Sequence, residues 1–362
     1  MWRQGIPVLF IFLPPFLAGP DLLVPNEYWL PGEVVPVHYD FKLVVHMGNL
    51  TTRGEVRVEV KVVKATSRIT LHANSSFVKI DHDKVVVKGP DDKDVIVNSH
   101  NEDREKEFYI IELGSRLEVG QMVMLTLPYT GVIRDGRNNA TAVTRNSTDR
   151  VGNRTEQFGF YASPDGEWGV MALTKFMPNN ARKALPCFDE AKLKATFTLS
   201  LARPKGYSSL GNMPLKEEGA VMEEDENYLW DNYKKSVKMS TYLLKWVVSK
   251  YSYAQAVTKR NMPVRAYYGK SMTKSMSYAA ENAAKILDRL EQVFQMQYQL
   301  PKMDMLAVPF FASGAMEDWG LISFTTMLHY DKEYDTMRFY LDKTISHELV
   351  HQWAGNLVTC AW

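Results

Sequence analysis

Two imidazoles and a carboxylate stand close together near the end of this 362-residue chain, at His347, Glu348 and His351 in the run KTISHELVHQW. In a helix, residues four apart lie one above the other on a single face, so His347 and His351 would offer two nitrogens to one point. That arrangement is half of a tetrahedral zinc site. Glu348 lies beside them, placed to deprotonate a water that zinc has already made acidic. The pattern fits a hydrolytic Zn2+ site, with His347 and His351 as metal ligands and Glu348 as general base. The plain alternative is an ordinary amphipathic helix carrying two incidental histidines.

The helix that must hold these residues is expected over about residues 335 to 355. A preceding helix is expected over about 271 to 297, where Ala279, Ala283, Ile286, Leu287, Leu290, Val293 and Phe294 recur at spacings of three and four, and Pro301 ends it. Between the two, MLAVPFF reads as a strand that leads into GAMEDWGLISF. Strand and helix alternate here, which marks a mixed domain over 255–362. Upstream the dominant period is two. In EVRVEVKVV, Val56, Val58, Val60 and Val62 alternate with Glu55, Arg57, Glu59 and Lys61, the mark of a strand with one buried face. Similar runs are HYDFKLVV, SRITLHA, MVMLTLPYTGV, KATFTLSLARP and YLLKWVVSKYSYAQA, separated by turn-forming clusters such as KGPDDKD. Residues 27–254 therefore read as a mostly antiparallel all-β domain.

Composition narrows the class further. Net charge is +1, and no basic excess argues for nucleic acid. Two cysteines, Cys187 and Cys360, are too few for a disulfide framework, so a hydrophobic core must supply stability. Residues 1–19 have the layout of a signal peptide: Arg3, an apolar run to Leu17, then Ala18 and Gly19. A retained signal anchor is the alternative. Sequons at Asn49, Asn74, Asn139, Asn146 and Asn153 would be glycosylated on a secreted chain. Together these features point to an extracellular protein, secreted or held at the outer face of the plasma membrane.

The run Gly314, Ala315, Met316, Glu317, Asp318, Trp319, Gly320, followed by HELVH, resembles the double signature GAMEN and HExxH of the M1 family of zinc aminopeptidases. VHYDFKL, ARKALPCFDEAKLKATF, LGNMP, MSTYLLKWVVS and HQWAGNLVT are similar to the same family, in family order. The resemblance implies a multidomain protein, with an N-terminal saddle-like β domain followed by the start of an α/β thermolysin-like catalytic domain. The implied activity removes the first residue from peptides with a free N-terminus. His347 and His351 would be zinc ligands, Glu348 the general base and Glu317 the carboxylate that binds the substrate ammonium. Gly314 to Asp318 would form an extended edge that pairs with the peptide.

Departures from the family pattern carry their own expectations. Lys175, Met177 and Asp318 stand where the family commonly has Gln, Gln or Glu, and Asn, in the region that receives the amine. Lys175 and Asp318 are expected to form a compensating ion pair; otherwise Lys175 would select peptides with an acidic first side chain. Ala354, in place of a common Phe, is expected to leave room in the core. Arg182 and Asp189 are expected to be structural charges. The family's third zinc ligand, a glutamate, and its oxyanion-stabilising tyrosine would fall past Trp362, so the chain as written is expected to be an incomplete, inactive fragment, with any C-terminal membrane attachment missing. A noncatalytic peptide-binding or cell-surface receptor protein is the competing reading.

Overall fold

A computed structural model describes residues 26–135, 159–164, 170–269, 276–308, 311, 314–325 and 335–359. The sequons at Asn139, Asn146 and Asn153, the N-terminal 1–19 segment and Cys360 lie outside these residues. None of the described helices is long and apolar enough to cross a membrane.

The period-two runs form the large sheet. Val56, Val58, Val60 and Val62 are fully buried on strand Thr51–Val62, which lies between Val34–His46 and Met122–Val132. The antiparallel register sets Val58 opposite Tyr39 and Leu125, so one face of three strands packs as a continuous apolar surface. On its other side Val34–His46 pairs in parallel with Thr196–Pro204, and the Tyr39 and Phe197 rings stack at 4.8 Å. The hairpin Leu215–Met222 and Asp225–Tyr233 completes that side. A three-stranded sheet (Thr66–His72, Phe108–Leu117, Val97–Asp103) and a five-stranded sheet containing Val170–Lys175 and Trp246–Ser249 accompany it. Trp246 lies against Phe41 of the large sheet at 5.5 Å and Phe176 at 5.3 Å.

YLLKWVVSKYSYAQA does not run as one strand. Trp246–Ser249 is wholly buried in the β region, whereas Ser252–Val257, largely exposed, is an edge strand of a different sheet. That second sheet has the order Ser252–Val257, Pro263–Tyr268, Met303–Val308, Leu321–Thr325, Ala315–Met316. Its three inner strands are parallel and its two edges antiparallel. Met303–Val308 is buried at every position, as a central strand covered on both faces must be.

Two helices accompany this sheet, α1 (Met276–Phe294) and α2 (Asp335–Val350). The buried stripe of α1 is Met276, Ala279, Ala280, Ala283, Ala284 and Leu287. Val293 of the expected stripe is exposed, because α1 ends one residue later. On α2, Leu341, Ile345 and Leu349 recur every four residues and are buried. α2 stops at Val350, short of the expected 355, and the chain continues in turns.

Candidate active site

α2 is held in place from α1. Tyr278 Oη donates to both Asp342 carboxylate oxygens at 2.9 Å, and Asn282 Nδ2 donates to Asp342 Oδ1 at 2.7 Å. Hydrogen bonds to one carboxylate fix the helix along its axis and in rotation, which sets the face that carries His347 and Glu348. The turn after α2 then orients His351, whose Nδ1 lies 3.1 Å from the Ala354 carbonyl. A carbonyl only accepts, so Nδ1 carries the proton and Nε2 presents its lone pair.

That lone pair meets His347. The two Nε2 atoms are 3.1 Å apart, with ring planes at 89°. Tetrahedral zinc with Zn–N bonds of about 2.0–2.1 Å holds two ligand nitrogens roughly 3.3 Å apart. Burial, reinforced by His351, lowers the His347 pKa from its ordinary value, which favours the neutral, ligating form. The pair therefore fits two corners of a zinc site. Among the described residues no group of three or more His, Cys, Asp or Glu is gathered to complete it.

Glu348 points into the protein. It is 6% exposed, its Oε2 has no hydrogen-bond partner among the described residues, and burial, then Glu317 and Asp318, push its carboxyl up to about 8. Such an acid holds its proton at neutral pH until a neighbouring cation favours its ionised, proton-accepting form.

Glu317 follows the edge strand Ala315–Met316 that pairs with Leu321–Thr325. Gly314 opens this segment at φ +78°, a conformation that favours glycine, and apart from its chain neighbours no described residue comes within 4 Å of where its Cβ would stand. Met316 and Trp319 are buried packing residues. Glu317 is buried, at 8% exposure. Among the described residues its carboxylate accepts no hydrogen bond, whereas its backbone carbonyl accepts two, from Gln352 Nε2 at 3.1 Å and Asn356 Nδ2 at 2.8 Å. The same Gln352 Nε2 donates to the Glu348 carbonyl at 3.1 Å. One buried amide thus ties together the backbones of the two acids. Gln352 and Asn356 were not singled out individually from sequence; the available signal was their place in HQWAGNLVT, the family-like stretch that follows from HELVH.

Asp318 is fully buried, and its ion-pair partner is Lys245, at 3.0 Å. This corrects the expectation that Lys175 is its counter-ion. Lys175 lies nearby, its Nζ 4.7 Å from the Phe311 ring centre, and is pulled down to about 8, first by burial and then by Lys245, against the attraction of Asp318 and Glu317. Met177 is 42% exposed. Ala354 is exposed, so it leaves no space in the core. Arg182 and Asp189 do form a buried structural pair at 3.1 Å, and Cys187 is a buried free thiol.

Residues 35–243 match the Peptidase M1 N-terminal domain, and residues 278–362 match the Peptidase family M1 domain. The chain belongs to peptidase family M1. Among M1 relatives it is 32% identical over 349 residues to endoplasmic reticulum aminopeptidase 1 of Homo sapiens, covering 93% of this chain and 34% of that protein. It is 32% identical over 344 residues to aminopeptidase A of Gloydius brevicauda, with 93% and 33% covered. Glutamyl aminopeptidase of Bos taurus is 32% identical over 346 residues, with 93% and 34% covered. The chain spans about a third of the length of the M1 proteins it matches.

Proposed function

We propose that this chain carries the amine-anchoring and proton-transferring groups of a zinc-dependent aminopeptidase, with a saddle-like β domain leading into the start of a thermolysin-like catalytic domain. The observation that carries the reading is the joint placement of Glu317 and Glu348. Both are buried, both backbones are bound by the Gln352 amide, and Glu348 precedes by three residues the second of two facing imidazoles.

His347 and His351 would hold zinc, with a third donor needed for tight binding. When bound, the metal supplies Lewis acidity that polarises a carbonyl and makes water easier to deprotonate. Glu317, free of competing donors among the described residues, accepts the substrate's terminal ammonium in a charge-assisted hydrogen bond. That contact sets the distance from the amino end to the first peptide bond, so only this bond reaches the reacting position. The edge strand Ala315–Met316 would pair with the peptide backbone. Glu348 takes the proton of the attacking water and returns it to the leaving amine. The N-terminal signal-like layout and the exposed Asn49 sequon support an extracellular or lumenal setting.

The test uses the protein at its full natural length with aminoacyl anilides. Glu348→Ala is expected to abolish turnover while zinc content stays unchanged, and Glu317→Ala to raise KM for free-amine substrates. Turnover by Glu348→Ala would overturn the assignment. A peptide-binding protein without turnover is the second reading, favoured by the Lys175 cation acting on Glu317; a zinc-loaded wild type that binds peptides and cleaves none would establish it.

A further inference from the structure

The segment that presents Glu317 is fastened largely by the β domain. Lys245, fully buried at the entry to strand Trp246–Ser249, pairs with Asp318 at 3.0 Å and donates to the Thr174 carbonyl. Asn212 Nδ2 donates to the Trp319 carbonyl at 2.9 Å and to the Leu243 carbonyl at 2.7 Å, and Asn212 Oδ1 accepts from the Lys245 amide at 2.8 Å. Lys302 Nζ bridges the Gly211 and Gly320 carbonyls, 2.7 Å from each. Gly320 approaches the Asn212 carbonyl so closely that a Cβ would sit 2.7 Å from it. Residues 318, 319 and 320 are each tied to, or in close contact with, the β domain, and among the described residues the ionic tie of this segment is Lys245 to Asp318.

We propose that Lys245 is a positioning residue for Glu317: through its buried pair with Asp318, the β domain fixes where the substrate ammonium is received. Two physical arguments support this. Glu317 has no side-chain tether among the described residues, so its carboxylate is aimed by the backbone on either side, and Asp318 is the next residue. In addition, an acid beside Glu317 would itself attract the substrate ammonium. Lys245 occupies that acid and leaves Glu317 as the group that receives the amine.

The inference rests on Glu317 as the amine anchor. Its test compares Lys245→Met, Asp318→Asn and the double variant in the full-length protein, reading KM and kcat separately, zinc content and thermal stability. Lys245→Met leaves Asp318 with Lys175 as its remaining cation and without its close ion-pair partner, and Asp318→Asn leaves a buried Lys245 without its partner at the segment that follows Glu317, where it repels the substrate ammonium. Each single variant is expected to raise KM about tenfold, part of one charge-assisted hydrogen bond, with a smaller change in kcat and unchanged zinc. The double variant, neutral at both positions, is expected to return KM to within about threefold of wild type, since the Gln352, Asn356, Asn212 and Lys302 anchors remain. Wild-type KM in both single variants, with only lowered stability, would overturn the proposal. Should Lys245→Met not fold, equal KM in Asp318→Asn and the double variant would overturn it as well. Glu317→Ala separates the two ideas: if it leaves KM unchanged, the amine-anchor reading fails, whatever Lys245 does.

Discussion

Glu348 gives the most direct test of the buried electrostatics. Its carboxyl is moved from 4.5 to about 8, first by burial and then by Glu317 and Asp318. Below pH 4.5 the group is protonated in both the folded and the unfolded chain and contributes no difference. Between 4.5 and 8 the unfolded chain releases the proton and the folded chain keeps it, so folding loses about 1.4 kcal/mol per pH unit. Above 8 both forms are ionised and the loss is complete, on the order of 5 kcal/mol. Glu348→Gln keeps the shape and removes the titration. Metal-stripped wild type and variant should therefore have similar stabilities near pH 4, and the variant should lead by several kcal/mol at pH 9, read from urea midpoints or melting temperatures. Adding zinc should narrow the gap, because a cation beside the acid favours its ionised form. A gap that stays within about 0.5 kcal/mol from pH 4 to 9 would refute the argument that burial holds this acid neutral.

Two further outcomes follow from local geometry. Gly320→Ala should cost about 2–4 kcal/mol, combining a left-handed backbone at φ +79° with a Cβ 2.7 Å from both the Asn212 carbonyl and Leu300 Cδ1; urea unfolding measures it, and a loss below 1 kcal/mol would show that the junction yields easily. Lys175→Met should lower the kcat/KM preference for an acidic first residue over a neutral one by about tenfold, the size of a partly screened charge contact; an unchanged ratio among such substrates would place the Lys175 charge outside the first-residue pocket.

Sequence revealed some of this directly. Strict alternation at Val56 to Val62 became a buried strand face because a half-buried sheet enforces period two. The HELVH spacing became two facing Nε2 atoms because an α-helix brings residues four apart together. The break inside YLLKWVVSKYSYAQA was hidden, because both halves have strand character and only tertiary pairing assigns them to different sheets. Helix α2 was read five residues too long, since Trp353, four residues after Leu349, prolongs the apolar spacing into the turns after Val350.

The partner of Asp318 was hidden for a different reason. Lys175 and Lys245 both lie in strand-like sequence of the β domain, and sequence spacing alone does not rank them as neighbours of residue 318. The ranking comes from the sheet. Val170–Lys175 and Trp246–Ser249 are adjacent antiparallel strands, with Ala172 opposite Val248 and Leu173 opposite Val247, so the end of one and the entry to the other lie side by side. Both lysines therefore act on Asp318, and Lys245 has the closer place because its backbone is held by Asn212, which also binds the Trp319 carbonyl. Lys245 acts on Asp318, while Lys175 acts on both Asp318 and Glu317. With Lys245 committed to Asp318, Glu317 is the acid left to receive an added ammonium. On this reading, amine recognition depends on how the two domains meet as much as on the residues of either signature.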